Sequence, residues 1–222
     1  MENERCSRPT PLLVYIVGVY IASLLIANVL ANQMLQVFNW TASAGILTFP
    51  LTYILASVLA EVYGYEWARR AAWTSLALNA LLAGMVWLAL ILPSPDWFEG
   101  GAHFAGALGN SWRIVVASLS AFTVGKFAND RLFSYLKGGR GNLEGFKFRA
   151  MASSLLGHAL DSGIFTYVAF AFVLPWGELP GMALVSVCLK WGYEWLALPL
   201  TVRLVKKVKA HEDAERPARA PL

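Results

Sequence analysis

Charge is what this sequence has little of. Only 14% of its 222 residues are Asp, Glu, Lys or Arg, against about 25% in a soluble domain. With 57% hydrophobic residues, that balance excludes an ordinary soluble domain and predicts an integral membrane protein. Cysteine is scarce too. Cys6 stands in an N-terminal tail and Cys188 in an apolar run, with no CxxC or Cys/His ligand spacing, so neither a disulfide framework nor a zinc site is indicated. The sequence has no His-rich cluster and no nucleophile elbow, which leaves a membrane enzyme without support; no catalytic residue, metal or cofactor is expected. No Gly-x-x-x-x-Gly-Lys-Ser/Thr segment occurs, so the chain has no P-loop with which to hydrolyse ATP.

What the sequence has instead is apolar length. A spanning helix needs about 20 mostly apolar residues. Six stretches qualify: roughly Pro11 to Ala31, Ala44 to Tyr63, Ala71 to Leu92, Trp112 to Leu132, Ala150 to Val173 and Gly181 to Leu204. The segments between them, such as "PSPDWFEGGAHFAGALGN" and "LKGGRGNLEGF", are rich in turn residues. The expected fold is therefore all-α, a polytopic membrane protein with six transmembrane helices over residues 11–204. Residues 1–10 form a cytoplasmic tail, and the basic tail 205–222 reads as solvated and partly disordered. The first run is too long for a signal peptide and lacks a small-residue cleavage pattern.

Lys and Arg give the orientation. Arg5 and Arg8, Arg69 and Arg70, then Lys137, Arg140, Lys147 and Arg149 mark alternate segments, and Arg203, Lys206, Lys207, Lys209, Arg216 and Arg219 mark the C-terminal end. The other three loops have none, Arg113 being the nearest exception. This asymmetry predicts both termini in the cytoplasm, with Trp40, Trp97, Trp112 and Trp176 near the outer boundary and Trp67 and Trp73 near the inner one. The formal net charge of +4 is thus a topology signal, and no nucleic-acid partner is expected.

Some charges are left over. Lys126 and Asp130 lie in the fourth run, His158 and Asp161 in the fifth, Lys190 and Glu194 in the sixth, and Glu61 closes the second. One charge at mid-bilayer costs roughly 2.5–3.5 kcal/mol on insertion scales, so these groups must face one another or water. Residues four apart share a helical face, so Lys190 with Glu194, and Lys126 with Asp130, each make a polar stripe and can offset each other's desolvation. Two readings follow: an interhelical clamp in which Lys190 bridges Asp161 and Glu194, or a polar binding site, which the usual role of intramembrane charges favours. A second stripe, Tyr53, Ser57 and Glu61 with Thr48 and Thr52, lies on the second run. Its hydroxyls can instead bond to the preceding turn, and Glu61 can sit at the interface beside Arg69 and Arg70. Asn28 and Asn32 line a cavity mouth or mark the interface.

Four blocks carry a family resemblance: "FPLTYILASVLAEVYGYEWARR", "GKFANDRLFSYLK", "SSLLGHALDSGIFTYVAFAF" and "LKWGYEWLALPLT", with "ANVLANQ" at the end of the first run. The chain resembles the queuosine precursor transporter family, related to the vitamin uptake transporters, over nearly the whole membrane region. The resemblance implies a six-helix importer of the bacterial inner membrane that salvages 7-cyano-7-deazaguanine or 7-aminomethyl-7-deazaguanine. It further implies a fold similar to the substrate-binding component of energy-coupling-factor transporters, working without an ATPase module. It places functional weight on Asn28, Glu61, Asn129, Asp161, Lys190 and Glu194. Ser57 stands where many members have Asp, Lys126 where many have Glu or Gln, and His158 where Gln or Glu is usual.

The residues suit such a ligand. A guanine-type edge offers two adjacent N–H donors to a carboxylate, Asp161 or Glu194, and a carbonyl to Lys190 or Asn129. Phe165, Tyr167, Trp191 or Tyr193 could stack on the ring. The candidate binding set is Asn28, Ser57, Glu61, Lys126, Asn129, His158, Asp161, Lys190, Trp191 and Glu194, with a deazapurine and the lipid bilayer as partners. A homo-oligomer is left open. The alternative is a binding subunit of an energy-coupling-factor type vitamin or nucleobase transporter, docked through Ala27 and Ala31 on the first helix.

Overall fold

In the computed structural model, residues 10–37, 39–95, 97–137 and 143–215 are described. Helix α1, Pro11–Leu30, starts where the Thr10 hydroxyl accepts from Leu13 N at 3.2 Å and Pro11 takes the first position, where its missing N–H costs nothing. Leu13, Ile16, Tyr20 and Ser23 form its buried face, at helical spacing. The chain then departs from the all-α expectation. Strands β1, Met34–Val37, and β2, Trp40–Ser43, form an antiparallel hairpin pairing Met34 with Ser43 and Val37 with Trp40.

The second apolar run is broken into three. A 3₁₀ turn, Ala44–Thr48, leads into α2, Phe49–Val58, and a π-helical turn, Leu59–Tyr63, follows. Gly64, with φ of +90°, makes the corner that an L side chain resists and admits α3, Tyr65–Ile91. A short exposed helix, α4, Gly100–Leu108, occupies a segment expected as loop. The long helices α5, Ser111–Lys137, α6, Leu143–Phe170, and α7, Glu178–Glu215, complete the fold. Residues 205–215, expected in a solvated, partly disordered tail, instead continue α7. Val205 and Val208 pack on a core there, and Glu212, 4% exposed, accepts hydrogen bonds from the Thr10 and Tyr63 hydroxyls, both at 2.7 Å. Residues 216–222 lie outside the described chain.

Packing arranges the long helices in a ring, α1–α3–α5–α6–α7–α2 and back to α1. Two cores close its ends. One joins Leu13, Ile16 and Tyr20 of α1 to Leu55, Val58, Leu59 and Ala71, and the other joins Ala31 to Ile114, Ala117, Ala169, Phe170, Leu179 and Met182. The ring's outer surface is apolar: Phe127, Trp87 and Leu196 are 67%, 59% and 78% exposed. Such area opposes folding in water and is at home in lipid. Pro11–Leu30, Ala44–Tyr63 and Tyr65–Ile91 are long and apolar enough to cross a membrane. The protein is a mostly helical membrane protein.

Candidate functional site

Between the two cores lies a cavity of about 360 Å³, lined from every member of the helix ring. Its volume is at the small end of the about 300–1,000 Å³ typical of ligand pockets. Tyr20 and Asn28 come from α1, Phe49, Thr52 and Tyr53 from α2, Ser75 and Asn79 from α3, Ser118 and Phe122 from α5, His158, Asp161 and Phe165 from α6, and Ser186 and Lys190 from α7.

The charges meet across the α6–α7 interface. Lys190 Nζ bonds Asp161 Oδ2 at 2.5 Å, with the two side chains 15% and 30% exposed. One turn along, His158 Nε2 lies 2.9 Å from Glu194 Oε2. An ionised carboxylate only accepts, which puts a hydrogen on Nε2. Glu194 also accepts from Ser154 Oγ at 2.6 Å and Tyr53 OH at 3.3 Å, so it ties α2, α6 and α7 together from behind the cavity wall. Of the expected clamp, in which Lys190 bridges Asp161 and Glu194, the Asp161 half is thus present, while Glu194 makes its own rung to α6 at His158. The four-residue spacing does put both on one face, but that face is packed on a helix whose residues 158 and 161 also share a side.

Phe49 organises the same wall. Its ring stacks on Tyr53 at 6.3 Å, meets His158 edge-on at 5.8 Å, and lies 5.7 Å from Lys190 Nζ. A cation over an aromatic face is held there without a second anion. Opposite α6, Asn28 Oδ1 accepts the Ser118 hydroxyl at 2.9 Å and joins α1 to α5.

Of the residues expected at the site, Asn28, His158, Asp161 and Lys190 line the cavity, and Glu194 joins it through His158. Three others stand apart. The Ser57 hydroxyl donates to Tyr53 O at 2.9 Å, Glu61 is exposed in the π-helical turn, and the half-buried Trp191 packs edge-on against Trp195 at 6.2 Å. Arg69 and Arg70 reach Glu66, each at 3.7 Å, rather than Glu61. Among the proposed stacking residues Phe165 lines the cavity, whereas Tyr167, Trp191 and Tyr193 do not. The side chains of Lys126, Asn129 and Asp130 lie outside the described residues. Among the described residues no His, Cys, Asp and Glu cluster could hold a metal.

Sequence reasoning passed over Phe49, Ser75, Asn79, Ser118 and Phe122. Asn79 had a signal, being the only amide in the run 71–92. The arrangement suits a flat polar molecule: an ion pair at one side, amides and hydroxyls at the other, aromatic rings between.

Residues 43–204 match the family described as "Putative vitamin uptake transporter". No curated protein and no solved structure matches the chain.

Proposed function

Because the chain belongs to the vitamin uptake transporter family, we propose that it imports a small flat heterocycle of the deazaguanine class, 7-cyano-7-deazaguanine or its 7-aminomethyl counterpart, across a bacterial inner membrane. Six spans carry the cavity, namely α1, the broken second run, α3, α5, α6 and α7, with both termini in the cytoplasm. The observation that supports this reading is the Lys190–Asp161 ion pair opening onto an aromatic-walled hollow. A carboxylate and an ammonium side by side match the donor–donor–acceptor edge of a guanine-type base. On binding, Asp161 accepts the two ring-edge N–H groups and Lys190 donates to the carbonyl. Phe49 and Phe165 cover the ring faces, and Glu194 holds His158 and Tyr53 in place around them.

The chain works without an energising ATPase module. Uptake of radiolabelled 7-cyano-7-deazaguanine is expected from the chain alone in liposomes, and in cells that lack their own transporter. Asp161→Asn and Lys190→Ala are expected to insert normally and lose uptake. Unchanged uptake in both variants would leave the ion pair as a clamp alone, and uptake only after co-purification with an ATPase would make the chain a binding subunit.

A further inference from the structure

Hydroxyls on these helices generally close on the carbonyl one turn back: Ser57 on Tyr53, Ser75 on Ala71, Thr201 on Ala197. A hydroxyl satisfied that way is unavailable to a ligand, although Ser162 Oγ, beside Asp161 on the cavity wall, and Thr166 Oγ1 are buried without a partner. Asn79 on α3 is different. It is 1% exposed, its Nδ2 donates to Ser75 O at 2.9 Å, and its Oδ1 has no partner at all. The amide cannot be turned the other way round, because a carbonyl only accepts and the group facing Ser75 O must be the NH₂. So the orphaned atom is an acceptor, and it belongs to a residue that lines the cavity.

Its position in the ring gives it a use. α3 packs on α1 and α5, whereas α7 packs on α6 and α2, so α3 stands across the ring from the helix carrying Lys190. The cavity therefore has an ionic side and, facing it, a neutral acceptor. A bicyclic base held by its pyrimidine edge at Asp161 and Lys190 presents its five-membered ring to the opposite side. Besides its 7-substituent that ring carries an N–H, a donor that needs an acceptor once water is excluded.

We propose that Asn79 is a specificity-determining residue: its Oδ1 accepts the ring N–H at the far end of the bound base, so that the protein takes free bases and rejects counterparts substituted at that nitrogen, nucleosides included. The inference rests on the deazaguanine reading above. An N-substituent removes the donor, leaves the acceptor orphaned and adds bulk where the wall is closed, so the two kinds of ligand differ in both attraction and fit.

The test uses the purified full chain, with 7-cyano-7-deazaguanine and its 9-methyl derivative as probes, read by calorimetry and by melting temperature. Wild type is expected to bind the N–H base at least about tenfold more tightly than the methylated one, and Asn79→Leu to bind the two alike. Asn79→Asp, which keeps an acceptor oxygen, is expected to retain the preference. Ligand-free Asn79→Leu should melt at or above wild type, since it removes an unsatisfied buried atom. Equal affinity of wild type for both probes, or a preference that survives in Asn79→Leu, overturns the assignment. If wild type binds neither probe, the substrate reading falls and the assignment with it, whereas wild-type binding of both alike overturns the assignment alone. A ligand-free Asn79→Leu that melts below wild type makes the amide structural and likewise overturns it.

Discussion

Glu194 shows what a single side chain does here that its neighbours do not. Its carboxylate accepts from Tyr53, Ser154 and His158, and so joins three helices. Removing it leaves three part-buried polar groups without a partner, each costing about 1–3 kcal/mol when fully buried and less with the solvent access present here. Glu194→Ala is expected to lower the melting temperature clearly, and to weaken uptake by releasing His158 and Tyr53. Ser57→Ala, on the same stripe of α2, removes only a bond to its own helix at Tyr53 O. It should stay within about 0.5 kcal/mol of wild type. Thermal unfolding of the two variants side by side checks the contrast, and an equal loss in both would show that the carboxylate is not the tie. The charge spacing of residues 190 and 194 was readable in the sequence, and so was Asp161 as a partner for Lys190. The attachment of Glu194 to His158, Ser154 and Tyr53 was not, because a helical face is local while the helix that covers it comes from elsewhere in the chain.

At the scale of elements, close approach decides geometry. A Cβ added at Gly125 of α5 would lie 2.9 Å from both Asp161 Cβ and Gly157 O of α6. Only glycine lets α5 and α6 pack at that distance, and the helix surface so matched is the one that presents Asp161 to the cavity. Gly125→Ala is expected to cost about 1–3 kcal/mol by overpacking and to impair uptake by displacing Asp161. Gly163→Ala, on the same α6 but with nothing within 4 Å of the added atom, should be neutral or stabilising by up to about 1 kcal/mol through helix propensity. Melting temperature and uptake of both variants distinguish a contact effect from a general intolerance of alanine. A second approach is at Gly181, where a Cβ would fall 2.5 Å from a Trp40 ring carbon. Together with the bond from the Thr41 hydroxyl to Glu178 at 3.3 Å, this seats the hairpin on the head of α7. The hairpin itself was hidden from a reading by apolar length, since strands of four residues carry too little periodicity to stand out.

Across the whole molecule, α7 is the member that reaches furthest. Its 38 residues span about 57 Å at about 1.5 Å each, nearly twice the about 30 Å of a bilayer's hydrocarbon core. The surplus is used. Leu204, Val205 and Val208 pack on the core built by α1 and the π-helical turn, and Glu212 fastens the start of α1 and Tyr63. Glu212→Ala is expected to lower the melting temperature, two charge-assisted bonds being worth about 1.5–3 kcal/mol each at most. It should also speed amide exchange from residue 205 onward. Glu212→Gln, which keeps an acceptor, should lose less. Exchange unchanged in Glu212→Ala would mean that the apolar contacts hold the end of α7 unaided.

The sequence by itself determined that this is a membrane protein built of helices, roughly where the long helices run, and which charges are too costly to face lipid. Those facts follow from composition and from local periodicity, which need no knowledge of what packs on what. Only the tertiary structure decided that Glu194 pairs with His158, that Phe49 and Asn79 line the cavity, and that Ser57, Glu61 and Trp191 stand outside it. Each of those outcomes depends on which helix lies across the ring, a contact between residues far apart in the chain, and no short stretch of sequence encodes its own opposite wall.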